Sequence, residues 1–298
     1  MSGAVSNVKA YAMLSVTAMC WGANALFSRL AAGEVSPMAV VMLRWVGVSI
    51  LLALFASRYV RRDWAVLRPR LPFLFAMGAL GFAGFNAIFY VSGHFTTAVN
   101  IGILQGSIPG IVLLGAFLAY GVRITRMQAL GVAVTIVGVA TVASGGNITD
   151  LAGLGVNLGD GLMIIACVLY AGYTVALRDR PATSAMGLFT VLAGAALVTS
   201  LPLAAAEYAL GYFQWPTPKG WLVVGLITLF PSFLAQIFFI KGVEAIGPGR
   251  AGVFVNLVPV FAAVLAVMIL SEPFKLYHAV ALGLVLGGIW LSERGKPQ

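Results

Sequence analysis

Apolar residues come in runs of membrane-spanning length along the whole chain, separated by short polar or basic clusters. The clearest run covers residues 71–122, which are 52 residues without an Asp, Glu, Lys or Arg. A transmembrane helix needs about 20 apolar residues, so this run predicts two helices joined by a tight turn near residues 94–97. Applied to the whole chain, the pattern predicts ten spans, approximately 9–31, 37–59, 72–93, 98–120, 126–144, 158–178, 184–208, 219–242, 249–270 and 275–293. The expected class is an all-α polytopic membrane protein with ten transmembrane helices.

The pattern is written twice. Residues 89–109 read FYVSGHFTTAVNIGILQGSIP, and residues 238–259 read FFIKGVEAIGPGRAGVFVNLVP. The offset is 149 from Gly93 to Gly242 and 150 from Pro109 to Pro259, with one residue inserted near Pro248. The second offset persists to Gly138 and Gly288. Five spans in each copy, over 1–150 and 151–298, would leave the second copy inverted relative to the first. Two inverted five-helix repeats are an architecture of secondary transporters, which bind substrate near mid-membrane between the halves.

Composition agrees with the pattern. The chain is 61% hydrophobic and 9% charged, with mean hydropathy +1.00, against about 45–50% and about 25% in soluble domains. No room remains outside the spans for a soluble catalytic or nucleic-acid-binding domain. The net charge of +9 is a topology signal. With the N-terminus in the cytoplasm, fourteen basic residues fall inside and three (Arg29, Lys219 and Lys275) fall outside. That is the positive-inside bias. It supports the ten-span count and an orientation with both termini cytoplasmic, the basic residues meeting the lipid bilayer and no nucleic acid. The first span exceeds a signal-peptide core of about 7–15 residues and is expected to be retained.

Cys20 and Cys167 lie within apolar spans and read as small hydrophobes, with no metal or disulfide spacing. No phosphate-binding loop, zinc pair or serine elbow occurs. Neither an enzyme nor an ATP-driven pump is expected, and no cofactor.

Pro109 and Pro259 occupy matching mid-span positions. A proline inside a helix removes a donor and frees the carbonyl four residues back, here those of Gln105 and Val255. Broken helices at membrane depth are tolerated where they are buried in protein or line a cavity. Gln105, Ser107 and Asn256 add polar side chains at the same level. Pro109, Pro259 and Gly106 are therefore candidate hinges, against the alternative of a simple packing kink. Gly102, Gly106 and Gly110 form a small-residue face that admits a close helix neighbour.

Trp21, Asn24, Phe85, Asn86, Tyr90, Tyr170, Tyr173 and Gln236 are further polar or aromatic residues within spans and should face the bundle interior. With Gln105 and Asn256 they form the candidate substrate site. Trp21 and Tyr170 correspond at the offset of 149. Interhelical packing is the alternative for both. Tyr59, Tyr120 and Trp290 lie near span ends and read as interfacial residues.

Arg44 is the one charged residue well inside a span, about 10 Å along the helix from Pro37. One reading is structural: it reaches the interface or pairs with Glu34 or Asp160. The other is a carboxylate clamp, since guanidinium matches carboxylate geometry. No Asp or Glu occupies mid-span, so no proton-carrying carboxylate is legible and the coupling ion stays open. Glu272, in the turn Ser271-Glu272-Pro273, is expected to cap or anchor a helix junction.

The sequence Cys20-Trp21-Gly22-Ala23-Asn24, the Pro37-to-Arg44 spacing and the Pro109 and Pro259 pair together resemble the drug/metabolite transporter superfamily, in its EamA-type ten-span branch. Pro259, Ser271-Glu272-Pro273, Gly283 and Gly288 follow the same pattern. Gly121-Val122-Arg123 departs from it, where the family usually has a glycine–glutamate pair. The resemblance implies an inner-membrane exporter of small metabolites, in particular the branch exporting aromatic and other neutral amino acids. It also implies a central cavity lined by the first, third, fourth, sixth, eighth and ninth spans.

The function expected is therefore export of amino acids or similar small molecules by alternating access. An efflux carrier for drugs or lipophilic cations is the alternative, and a channel or scaffold a third reading. Monomer and homodimer both remain open.

Overall fold

A computed structural model describes residues 7–147 and 157–295. The expected boundary between copies, at 150/151, lies outside the described residues. Those residues are helical, with no strand among them. Among the described residues, nine helical stretches are long and apolar enough to cross a membrane.

The expected second and third spans form one of these nine. Helix α1 (Asn7–Ala31) leads through a short turn to α2 (Pro37–Leu67), which outruns its expected end. A 3-10 turn at Arg68–Arg70 then joins α2 to α3 (Leu71–Gly78) with no loop between them. The stretch Pro37–Ser92 contains 56 residues, or roughly 84 Å of straight helix, against a hydrocarbon core of about 30 Å. The helical path breaks at Arg70 (φ −103°, ψ 6°), where Pro69 and Pro72 withhold the N–H groups that a continuous helix needs.

A π-helical turn at Ala79–Gly84 links α3 to α4 (Phe85–Ser92). Then come α5 (Ala98–Gln105), α6 (Ile108–Tyr120) and α7 (Arg126–Ala143). In the second part of the chain, α8 (Leu158–Ala176) is followed by α9 (Ala185–Ala209) and α10 (Pro218–Ile227). A second π-helical turn, Thr228–Leu234, leads to α11 (Ala235–Ile246), followed by α12 (Pro248–Val255), α13 (Val258–Leu270) and α14 (Leu276–Arg294). The two π-turns start 149 residues apart, so the repeat seen in the sequence recurs as local backbone geometry.

Helix starts follow local chemistry. Thr97, Ser184 and Thr217 accept the backbone N–H three residues on, and Thr125 forms a reciprocal capping box with Gln128. Each satisfies donors that a helix start leaves open. Asp63 adds a second cap to α9, accepting from Ser184 N at 2.8 Å and Ser184 Oγ at 2.5 Å. Helices α6 and α13 both end in a left-handed residue, Gly121 (φ 63°) and Ser271 (φ 54°), which are repeat mates.

Helix α2 packs along α9, and α7 along α14. The second pair approaches so closely that a Cβ on Gly131 would lie 2.5 Å from the Gly288 carbonyl, and one on Gly288 2.5 Å from that of Gly131. Large apolar side chains such as Leu54, Phe55, Leu118, Met268 and Leu276 face outward, as a lipid-facing belt requires.

The two ends of the bundle differ. Helix α5 packs against α13, α14, α7, α8 and α1, and its residues from Ala98 to Leu104 are buried. Its repeat mate α12 packs chiefly on α11 and α1, and Val253 within it is exposed.

Candidate functional site

Four interruptions in helical geometry converge on one cavity. The fourth expected span breaks between α5 and α6 at Gly106 and Ser107, and the ninth between α12 and α13 at Asn256 and Leu257. Pro109 and Pro259 then sit in the first turn of the following helix, where a missing N–H costs nothing. The expected kink is in both copies a two-residue turn with i→i+3 hydrogen bonds, its backbone still right-handed. The π-turns face the same space through Gly81, Phe82, Pro231 and Ser232.

The cavity measures about 140 Å³, in the size class of one that holds a single benzene ring. Trp21, Asn24, Phe85, Asn86, Gln105, Tyr170, Gln236 and Asn256 line it, as do Gly106, Pro109, Pro259 and Arg44. Two expected members do not. Tyr90 is 2% exposed and sits behind the wall, donating to Asn24 Oδ1 at 2.8 Å and accepting from Arg44. Tyr173 packs behind Gly81, whose missing Cβ would lie 2.3 Å from that of Tyr173, and against Phe82 and Tyr170. Both stand one layer behind the lining residues. A polar or aromatic identity marks a residue as interior and does not say which layer it occupies.

Other wall residues escaped the sequence reading. Trp45 stacks on Phe82 at 5.2 Å with 2° between planes. Phe189 and Ile289 bring α9 and α14 to the wall, so helices beyond the six implied spans contribute. Pro231 was the available clue to the second π-turn. The first has no proline and is legible only through the repeat register.

Gly102 and Gly106 face neighbouring helices, where an added Cβ would lie 2.3 Å from Ala262 Cβ and 2.3 Å from Val285 Cγ1 respectively. Gly110 has looser surroundings, with Val132 at 3.7 Å. Gly106 thus combines tight packing with a place in the break.

Arg44 is 7% exposed. Its Nη1 donates to Asn86 Oδ1 at 2.7 Å and Tyr90 Oη at 2.8 Å. Asn86 is oriented in turn by donating Nδ2 to the Phe82 carbonyl at 2.6 Å. The expected carboxylate partners are engaged elsewhere. Glu34 accepts from Thr217 and from Lys219 Nζ at 3.1 Å. Asp160 accepts from Thr96 at 2.5 Å and from Asn100 at 3.1 and 3.2 Å. The pairing of Arg44 with Glu34 or Asp160 is therefore corrected: its side-chain partners are neutral, and they tie α2 to α4.

The aromatic part of the wall is held from both copies. Trp21 donates Nε1 to the Pro231 carbonyl at 3.1 Å and packs 5.2 Å from Phe239. Phe85 and Tyr170 lie 5.1 Å apart. The wall therefore offers aromatic surface, five side-chain amides and one guanidinium, and it includes no carboxylate.

At one end of the bundle the two parts of the chain are latched together. Glu272 accepts the N–H groups of Ala98 and Val99, each at 3.0 Å, and Arg29 Nε lies 3.7 Å from its carboxylate. The expected anchoring role of Glu272 is thus a cap on α5. Nearby, His278 Nδ1 accepts from Lys275 N, which leaves Nε2 to donate to Asn100 Oδ1 at 3.2 Å. The repeat mate of Glu272 is Val122, and α12 has no side-chain cap.

Known proteins share this organisation. A solved crystal structure of a protein aligns over 96% of both chains with TM-score 0.64 at 20% identity, which shows a common fold. The uncharacterized transporter YyaM of Bacillus subtilis is 24% identical over 96% of this chain and 93% of its own. The uncharacterized inner membrane transporter YedA of Escherichia coli K12 is 24% identical over 93% of this chain and 88% of its own. One family model matches residues 8–144 and again residues 157–294. On that match across nearly the whole chain, the protein is a multi-pass membrane transporter and belongs to the EamA-like transporter family.

Proposed function

We propose that the protein is a secondary carrier of ten spans in two inverted halves, 1–150 and 151–298, exporting small metabolites by alternating access. Amino acids, neutral and aromatic ones foremost, are the substrates this reading favours. The observation that carries it is the pair of repeat-related helix interruptions, Gly106–Ser107 and Asn256–Leu257, which meet at one cavity, a Cβ on Gly106 lying 3.3 Å from Pro259 Cγ. Their packing is unequal, with α5 latched and α12 loose. Exchange of these two environments between halves is how an inverted repeat opens alternately to each side.

In the proposed site, Phe85 and Tyr170 receive an apolar side chain, while Asn24, Gln105, Gln236 and Asn256 serve the polar end. Pro109, Pro259 and Gly106 act as hinges. The positive-inside charge pattern supports an orientation with both termini cytoplasmic, and likeness to YedA supports an inner membrane. The cation-efflux reading is disfavoured, because no acidic side chain lines the cavity.

The test is counterflow in proteoliposomes with a panel of labelled amino acids and one lipophilic cation. Saturable exchange of neutral or aromatic amino acids is expected. Exchange of the cation alone would transfer the assignment to efflux, and non-saturating conductive flux would make it a channel.

A further inference from the structure

We infer that Arg44 and Trp45 form an anion subsite in the cavity, and that the recognised substrate group is a carboxylate on a small apolar tail. The inference deepens the carrier reading and rests on it. It also widens the substrate class, since carboxylates without an amino group are included.

The argument starts from an imbalance. A guanidinium keeps its charge at any accessible pH, and a buried charge is costly unless paired. Arg44 is buried, yet among the described residues it forms no ion pair. Asn86 and Tyr90 fix its orientation through Nη1 without neutralising it. Its Nε is a buried donor without a partner, and so is Nε1 of the neighbouring Trp45. Both residues line the cavity, and Arg44 is the one charged side chain in its wall.

A carboxylate supplies what is missing: negative charge and two acceptor oxygens. Charge-assisted bonds of this kind are about twice as strong as neutral ones. An ammonium group finds amide acceptors in the wall but no countercharge. The carboxylate is therefore required and the amino group dispensable. Phe82, Phe85 and Tyr170 provide the apolar surface for the tail.

The competing account makes Arg44 a structural tie between α2 and α4 alone. Asn86→Asp separates the two, because it places a fixed carboxylate where Oδ1 already meets Nη1 at 2.7 Å. The new ion pair at Nη1 would keep the tie at the cost of the Nδ2 bond to the Phe82 carbonyl, whereas a substrate carboxylate would lose its countercharge.

The experiment uses full-length protein in lipid nanodiscs and measures calorimetric binding of phenylalanine, 3-phenylpropanoate and 2-phenylethylamine. Both carboxylates are expected to bind, with 3-phenylpropanoate within about tenfold of phenylalanine, and the amine is expected not to bind. Asn86→Asp, like Arg44→Gln, should weaken carboxylate binding about tenfold or more. Size-exclusion chromatography and thermal unfolding check that each variant is folded, and the wild-type panel stands even where Arg44→Gln is not. Equal binding of the amine, no binding of either carboxylate, or unchanged binding by folded Asn86→Asp would overturn the subsite. Counterflow of labelled phenylalanine on the same preparation isolates the carrier reading. Carboxylate binding without exchange defeats the carrier alone, and exchange that ignores Asn86→Asp defeats the subsite alone.

Discussion

The carboxylate of Glu272 accepts the backbone N–H of Ala98 at 3.0 Å, so the turn after α13 closes over the first turn of α5. A second bond to Val99 N and the approach of Arg29 complete the contact. The negative side chain satisfies two open donors and meets the positive end of the helix. If the halves exchange environments during transport, this contact must break when the bundle opens at that end. Glu272→Gln retains the size of the side chain and removes its charge. Loss of roughly 1 kcal/mol from the cap would shift the closed–open balance about fivefold. Labelling of an Ala98→Cys variant by a membrane-impermeant thiol reagent reads the shift, once Cys20 and Cys167 are replaced by serine. The labelling rate should rise about fivefold with Glu272→Gln. An unchanged rate would mean that Glu272 only caps the helix.

The left-handed turn that presents Glu272 carries a strain its repeat mate avoids. Ser271 has φ 54°, while Gly121, in the same place after α6, has φ 63°. For a residue with a Cβ this region costs roughly 1–2 kcal/mol, and part of any gain from glycine is lost to its freer unfolded chain. Ser271→Gly should therefore stabilise the protein by about 0.5–1 kcal/mol. Thermal unfolding in detergent should show a higher Tm. A fall in Tm would mean that the Ser271 side chain makes a compensating contact.

The sequence foretold the helix breaks and the cavity better than it foretold the layers around them. Pro109 and Pro259 are legible because proline acts through its own covalent structure, whatever surrounds it. Most of the polar and aromatic candidates reached the wall because burial in an apolar bundle leaves few other places for them. Tyr90 and Tyr173 missed it by one layer, which depends on rotations and crossings that no residue type encodes. Trp45 was passed over because an indole reads first as packing. The union of α2 and α3 was hidden because Arg68 to Arg70 look like a loop by charge, although their backbone continues to turn. The two π-turns pack against α9 and α2 respectively, and only the repeat connects them.

Acid should loosen the junction between α1 and α10. Glu34, in the turn between α1 and α2, has a pKa held below the ordinary carboxylate range, first by the Thr217 hydroxyl and then by Lys219. Glu34 also accepts Thr217 N through its own carbonyl at 2.9 Å. A carboxyl whose folded pKa is depressed contributes stability above its unfolded pKa, about 4.3, and that contribution is lost as pH falls through the folded value. Wild type should therefore exceed Glu34→Gln in Tm at pH 7, with the gap narrowing below about pH 4.5. A gap that widens on acidification would reverse the sign and reject this account.

Trp21 offers the cleanest separation of packing from substrate contact. Its indole N–H holds the Pro231 carbonyl at 3.1 Å, and its ring lines the cavity. Hydrogen bonds between membrane helices average about 0.6 kcal/mol and reach roughly 1.7 kcal/mol. Trp21→Phe removes that bond and keeps an aromatic face, so it should cost less than about 2 kcal/mol in thermal unfolding and preserve measurable counterflow. Trp21→Ala also removes the face and enlarges the cavity, so counterflow should fall well below that of Trp21→Phe at matched amounts of folded protein. If the two variants lose transport equally, the bond to Pro231 and the shape of the second π-turn matter more than the ring. If neither loses transport, Trp21 belongs to the packing between α1 and α11, and substrate sits closer to Phe85 and Tyr170.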